Sequence, residues 1–324
     1  MKTIFIGGTG RSGTNITKKI LTQHPDVAAL PFEYRFLIDP EGIVDFYNSF
    51  NQNWSPYYSD YKIKKLRKFL INLANRNSFH FFISKLIKKM DKKGRFITPH
   101  NYYGWELERW FPNYTKHVND LINELTDYTY QSLWPGSESY KKNNITYFSS
   151  YKEKEKLAIN LNKFIENLIH HFLSVKKKSV FVEDNTWNIL FAKELSELVP
   201  NFKLLHIIRD PRDVIASMKN QKWCPSELDQ AIMFYKGIMD KWIHIKENLN
   251  KNFYLEIKFE NLIHYPKKSI ERICNFSGIN YSEHMLNIDL SKSNINRWEK
   301  DFSEEDKKMI NIELNDYLKN LDYK

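Results

Sequence analysis

Apolar residues fall in short continuous runs near both ends of the chain and at helical spacing between them. Residues 3–6 read as a strand, 7–13 as a glycine loop and 14–23 as a helix whose apolar stripe is Ile16, Ile20 and Leu21. His24-Pro25 stops that helix, and 27–30 read as a second strand leading into Pro31-Phe32-Glu33-Tyr34-Arg35. Helical spacing covers 62–71, 79–90 and 153–175, while the aromatic and Asn-rich stretches 101–105 and 128–134 read as loops. From 179 the alternation resumes, with strands at 180–182, 202–208 and 253–259 and helices at 189–198, 227–249, 266–276 and 304–318. The run 202–208 is almost wholly apolar, as in a strand covered on both faces of a parallel sheet. Asp210 is a good N-cap, Pro211 suits the first helical position, and Asp213 sits near the positive end of the helix dipole. Repeated strand–loop–helix units predict an α/β fold: a parallel β-sheet flanked by helices, in one domain spanning 1–324, with a mostly helical insertion at 40–175.

Composition adds a sign to this picture. The chain has 324 residues, 42% hydrophobic, and a formal net charge of +10, so it has enough apolar material for a core and an excess of cations. The lysine clusters at 62–68, 85–93 and 176–178 read as solvated faces. No recognised nucleic-acid motif accompanies them, so an anionic small molecule or glycan is the expected partner and nucleic acid is not. The two cysteines, Cys224 and Cys274, are far apart and lack metal-type spacing, which predicts no disulfide framework, no metal site and a reducing, cytoplasmic setting. No run approaches the length of a membrane span, and the apolar start is too short for a signal peptide. Nothing in the pattern sets an oligomeric state.

Candidate chemistry begins at Gly8-Thr9-Gly10-Arg11-Ser12-Gly13-Thr14-Asn15, between a strand and a helix. Glycines let backbone N–H groups curl around an anion, and the helix N-terminus adds its dipole. The spacing is that of a P-loop, but Thr14 stands where a nucleotide-hydrolysing loop needs lysine, and the cation is Arg11 instead. A second cluster is His206-Ile207-Ile208-Arg209-Asp210-Pro211-Arg212-Asp213-Val214-Ile215-Ala216-Ser217, where Arg209 ends a strand and Ser217 lies two turns into the next helix. A guanidinium fork and a short hydroxyl donor suit a phosphate.

These two segments together resemble the sulfotransferases that use 3′-phosphoadenosine-5′-phosphosulfate (PAPS), in the bacterial and Golgi-type branches and similar to the tyrosylprotein and heparan types. The resemblance implies that Gly10, Arg11, Ser12, Gly13, Thr14 and Asn15 hold the 5′-phosphosulfate, with Arg11 also neutralising charge on the bridging oxygen, and that Arg209 and Ser217 hold the 3′-phosphate. Asn15 stands where cytosolic relatives often have threonine. Phe259-Glu260-Asn261-Leu262, Pro266 and Phe276-Ser277-Gly278-Ile279 resemble an architectural segment of the family. Asn296-Arg297-Trp298 resembles its late element that closes over the nucleotide; Arg297 would reach the 3′-phosphate, and Trp298 packs there or in the core. The likeness covers 1–35 and 179–300 in pieces.

The implied reaction moves a sulfuryl group from PAPS to a hydroxyl of a carbohydrate or other acceptor by in-line displacement, with no metal. Glu33 is the expected base, with Arg35 two residues on as in the tyrosine type; a surface carboxylate paired with Arg35 is the alternative. His100, in Thr98-Pro99-His100, is the rival base on the cytosolic pattern. Bacterial relatives commonly read Asp-Lys-Thr-Pro before the 3′-phosphate strand, and here the segment is Asp184-Asn185-Thr186-Trp187, without the lysine. Asp184 orients the acceptor or caps the following helix. The other function classes are a P-loop nucleotide kinase or NTPase and a non-catalytic nucleotide-binding protein.

Overall fold

The computed structural model describes residues 1–75, 82–83, 85–87, 89, 105–136, 144–291 and 293–323. In chain order the first elements are β1 (Lys2–Gly8), α1 (Thr14–Leu21) and β2 (Val27–Ala29). Next come α2 (Ile43–Ser49), α3 (Pro56–Ala74), α4 (Leu107–Trp110), α5 (Tyr114–Leu125), the strands β3 (Tyr128–Ser132) and β4 (Asn144–Phe148), and α6 (Lys154–Lys176). The alternating part follows with β5 (Val180–Glu183), α7 (Ala192–Leu198), β6 (Phe202–Ile208), α8 (Pro211–Met218), α9 (Leu228–Asn248) and β7 (Tyr254–Lys258). Helices α10 (Phe259–His264), α11 (Pro266–Ser277), α12 (Trp298–Asp301), α13 (Glu304–Glu313) and α14 (Asn315–Asn320) end the chain.

The chain divides into two compact units. The first comprises Met1–Glu33, Lys178–Ser196 and Asn201–Lys324, and is built on a five-stranded sheet in the order β2-β5-β1-β6-β7. Every pair in it is parallel. Parallel strands put all their carboxyl ends on one edge, where loops of α/β sheets carry ligands. β1 is central and apolar on both faces: Ile4, Phe5 and Ile6 are fully buried. Ile20 and Leu21 of α1 and Ile270 and Ile273 of α11 join Ile4 and Ile6 in one core cluster. Each such side chain contributes about 1.5–3 kcal/mol by leaving water.

The second unit comprises Tyr34–Lys177 and Glu197–Pro200. Among the described residues it is helical except for one hairpin. α5 packs against α3 and α6, burying Leu66, Leu70, Val118, Leu121, Leu161, Leu168 and Phe172. Ser55 caps α3 by accepting from the Tyr58 backbone N–H, ahead of Pro56 at the first helical position.

Several sequence expectations change. The stretch 128–134 is not a loop: Tyr128–Ser132 forms β3 and pairs antiparallel with Asn144–Phe148. Its alternating Tyr and Thr residues suit a pleated surface, but only the partner strand makes one. The helix expected at 189–198 is a 3-10 turn over Thr186–Phe191 followed by α7. The helix expected at 304–318 breaks at Leu314 into α13 and α14. Phe259 begins α10 rather than ending β7. The loop 101–105, apart from Trp105, lies outside the described residues, as do His100 and much of the helix expected at 79–90. No described helix is long and apolar enough to cross a membrane.

Candidate active site

Two turns at the carboxyl edge of the sheet carry the candidate residues. After β1 the backbone turns left-handed at Gly10 (φ 81°), Arg11 (φ 57°) and Gly13 (φ 107°). Gly13 is the N-cap of α1, no side chain caps that end, and the first turn holds no acid. The amides and dipole of α1 are thus left to face an anion. A Cβ on Gly13 would collide with the ring of Phe259, so both its φ and its surroundings require glycine. Arg11 holds a left-handed conformation that costs a non-glycine residue roughly 1–3 kcal/mol and persists only where its surroundings over-determine it.

Those surroundings are the second turn. Arg11 Nε donates to Ser217 Oγ at 2.9 Å, and Arg209 Nη1 donates to the Arg11 carbonyl at 3.1 Å. Arg209, Ser217 and the glycine loop therefore meet. Arg209 is 8% exposed and Ser217 2%. The Arg209 guanidinium also bonds Asp213 at 3.2 Å and the Asn294 carbonyl, and lies 5.2 Å from the Phe259 ring centroid. Phe259 thus underlies both turns. Two polar atoms here are buried and have no hydrogen-bond partner: Ser12 Oγ and Arg209 Nε. A buried donor left unmade costs about 1–3 kcal/mol, so both can donate to the oxygens of an anion.

The remaining cations are tied to acids. Arg212 forks onto Asp210 at 3.0 and 2.7 Å, and its guanidinium lies 4.1 Å from the Trp298 ring. Asp210 also caps α8 through the Arg212 backbone N–H, and its own N–H donates to Glu260, which Tyr323 holds in turn. Burial pushes the Asp213 carboxyl up from its usual range, against the backbone N–H of Trp298, the charge of Arg209 and the N–H of Asn296. Those two N–H bonds dock the Asn296–Trp298 segment on α8. Trp298 packs on Arg212, whereas Arg297 turns along its own helix to Asp301, at 2.7 and 2.5 Å.

Asp184 does not cap the turn that follows it. It pairs with Lys18 of α1 at 2.7 Å, with both side chains mostly buried, and the cap is Asn185, which accepts from the Trp187 N–H. A lysine from another helix thus stands beside the segment that lacks its own. Lys18 lies one turn after Thr14, on the same helical face, which is the signal that would have singled it out. Glu183 also went unread: its carboxylate accepts from the Asn185 N–H and the Asn188 amide, and Asn188 also bonds the Ile6 carbonyl. Thr14 and Asn15 open α1 at the loop. Glu33 is half-buried and follows β2 as the last residue of the sheet unit's first segment. Arg35 belongs to the other unit, where its Nε donates to Asp39 at 3.2 Å.

Comparison with known proteins gives this chain a family, through a match that begins after the glycine loop. A family model described as "Sulfotransferase family" matches residues 98–283, more than half of the chain. A Caenorhabditis briggsae protein named "Putative protein-tyrosine sulfotransferase" is 31% identical over 105 residues, which is 31% of this chain and 37% of that protein's length. Among solved structures, the sulfotransferase domain from the curacin biosynthetic pathway has a TM-score of 0.47 at 14% identity, covering 100% of this chain and 98% of the other. The sulfotransferase STF9 from Mycobacterium avium has a TM-score of 0.46 at 11% identity, covering 100% and 78%; likeness at this level carries no argument about chemistry. The match over residues 98–283 does: this chain belongs to the sulfotransferase family.

Proposed function

We propose that the protein transfers a sulfuryl group from PAPS to a hydroxyl of a carbohydrate or other acceptor by in-line displacement, without a metal. The observation that carries this reading is the meeting of Arg11, Ser217 and Arg209 beside two buried, unpartnered polar atoms. When bound, PAPS supplies an activated sulfuryl group. The loop Gly10 to Asn15 would hold its 5′-phosphosulfate with backbone amides, Ser12 and Arg11. Arg209 and Ser217 would hold its 3′-phosphate, with Trp298 and Arg297 on the segment that closes beside them. Arg11 would neutralise charge on the leaving oxygen. The acceptor oxygen bonds to sulfur as the bridging S–O bond breaks; the hydroxyl proton goes to Glu33, and the bisphosphate product leaves. Asp184, fixed by Lys18, would orient the acceptor, and Arg35 and His100 are further acceptor-binding candidates. The name of the Caenorhabditis briggsae relative supports a tyrosyl hydroxyl as the first acceptor to try. The two cysteines, both free thiols, support a cytoplasmic setting.

Thermal unfolding tests the donor. Adenosine 3′,5′-bisphosphate should raise the Tm without Mg²⁺, by an amount equivalent to about 2.7 kcal/mol at a hundred times Kd. A larger shift with Mg-ATP would overturn the reading in favour of a nucleotide kinase or NTPase. Glu33→Gln tests the base: kcat should fall by roughly 10²–10⁴ while bisphosphate affinity stays unchanged. His100→Gln is the control, and loss of turnover there alone would move the base to His100.

A further inference from the structure

The loop after α8 turns an indole onto the phosphate loop. Trp223 is 49% exposed, yet its edge closes the space over Gly10: a Cβ there would come within 2.7 Å of the indole and 3.5 Å of the Thr186 methyl. Trp187 stands perpendicular to it, with ring centroids 6.0 Å apart and an interplanar angle of 86°. Phe234 meets the other side of Trp187 at 6.1 Å and 77°. Three rings in edge-to-face contact therefore make an aromatic corner beside Gly10. Cys224, next in the chain, lies within the field of Arg11. A large ring held in place but half open to water is the usual form of a binding surface rather than of a core.

The corner offers little to a polyhydroxylated ligand. The loop's amides are turned inward: Asn220 bonds the Ala216 carbonyl at 3.2 Å and Gln221 the Ser217 carbonyl at 3.5 Å. Among the described residues that adjoin these rings in the chain, the small polar groups are the Thr186 hydroxyl, the Cys224 thiol and the Asn185 Nδ2, which is buried and has no partner, while Lys222 is exposed. A sugar needs partners for several hydroxyls, and leaving them unmade is unfavourable. An aryl ring needs apolar faces and continues the edge-to-face packing. Its single hydroxyl is the reacting group. We infer that Trp223 and Trp187 form the specificity-determining wall of the acceptor site and select an aryl acceptor, a phenol or a tyrosyl side chain. This inference rests on the sulfuryl-transfer reading above.

The test uses the full chain with saturating PAPS and three acceptors: 4-nitrophenol, a tyrosyl peptide and N-acetylglucosamine. For the two phenolic acceptors, Trp223→Ala should lower kcat/KM roughly tenfold, with Trp187→Ala similar and Trp223→Phe within about threefold. Kd for adenosine 3′,5′-bisphosphate should stay within about twofold in all three variants, which separates a wall from a disturbed phosphate loop. A second readout needs no turnover: in the bisphosphate complex 4-nitrophenol should quench indole fluorescence, and Trp223→Phe should lose most of the quench. Unchanged phenol kinetics in Trp223→Ala would overturn the inference. So would preferred use of N-acetylglucosamine, or equal losses for sugar and phenol. If the wild-type protein binds the bisphosphate but 4-nitrophenol neither reacts nor quenches, the aryl wall fails alone. If the bisphosphate itself does not bind, the donor reading fails first.

Discussion

β1 and β6 lie side by side in one parallel sheet, and each runs at its carboxyl end into a helix. After β1 the turn is made of glycines and a left-handed arginine, and α1 begins without a side-chain cap. After β6 the turn needs no left-handed residue: Asp210 caps α8, Pro211 occupies its first position and Asp213 is buried in its first turn. The first helix leaves its N-terminal amides for an external anion. The second satisfies its own N-terminus with carboxylates and offers an anion only side chains, Arg209 from the strand end and Ser217 from further along. On the proposed reading, one turn would bind the donor with backbone and the other with side chains. They become one site because Arg209 donates to the Arg11 carbonyl and Arg11 to Ser217. The difference implies that the first turn is intolerant of any side chain, while the second can lose a contact and keep its shape.

The largest expected effect breaks the first turn. Gly13→Ala forces a Cβ into the Phe259 ring at a φ of 107°, so stability should fall by roughly 2–5 kcal/mol, read by denaturant unfolding, and bisphosphate binding should be lost. A near-normal midpoint would show that the loop relaxes freely. Acid acts on β7, the strand paired with the one that carries the second turn. Glu256 on β7 accepts from Trp242 and His206 and pairs with Lys246. Burial pushes its carboxyl up, but those partners more than reverse this and hold it at about 2. A pKa lowered by folding means stability that is present above the unfolded value of about 4.3 and lost as pH falls from there towards 2. The loss should approach about 3 kcal/mol, and Glu256→Gln should remove that part of the acid limb.

Arg209→Ala comes next. It should weaken the bisphosphate by about 1.5–3 kcal/mol in calorimetry, while adenosine 5′-phosphosulfate, which lacks the 3′-phosphate, loses far less. Equal losses would mean that the second turn does not read that phosphate. Asp210→Ala removes the cap that makes the two turns differ, and should cost about 0.5–2 kcal/mol of stability with the phosphate loop unaffected. The smallest effect concerns Cys224, whose thiol burial pushes up to about 11 against the pull of Arg11. Iodoacetamide at pH 8, followed by mass spectrometry, should alkylate it much more slowly than a free thiol. Fast alkylation would mean that Arg11 dominates the loop's surroundings.

Both turns were legible in the sequence because their signals are local. Glycine spacing after an apolar run, and Asp-Pro before a helix, each act within a few residues and need no distant partner. The apolar run 202–208 matches β6 for the same reason: a strand buried on both faces must be apolar throughout. The hairpin β3–β4 was not legible, since Tyr128 and its neighbours become a strand only when Asn144–Phe148 lies alongside. Arg297 is assigned to the 3′-phosphate by the resemblance of Asn296-Arg297-Trp298 to a family element, and only the fold shows that its guanidinium pairs with Asp301.

By itself, then, the sequence determined the order along the chain of the parallel strands and the helices between them, the two turns at the sheet's carboxyl edge, and the sign of the charge they carry. These follow from periodicity and from the backbone preferences of Gly, Pro and Asp, which act over a few residues. Only the tertiary structure decided which side chains meet. Arg11 and Ser217 are 206 positions apart and Lys18 and Asp184 are 166 apart, and Trp223 reaches Gly10 from the far side of β6 in the chain. Such contacts are set by the pairing order of five parallel strands, and no local pattern encodes that order, because any apolar strand satisfies its neighbours' backbone equally well.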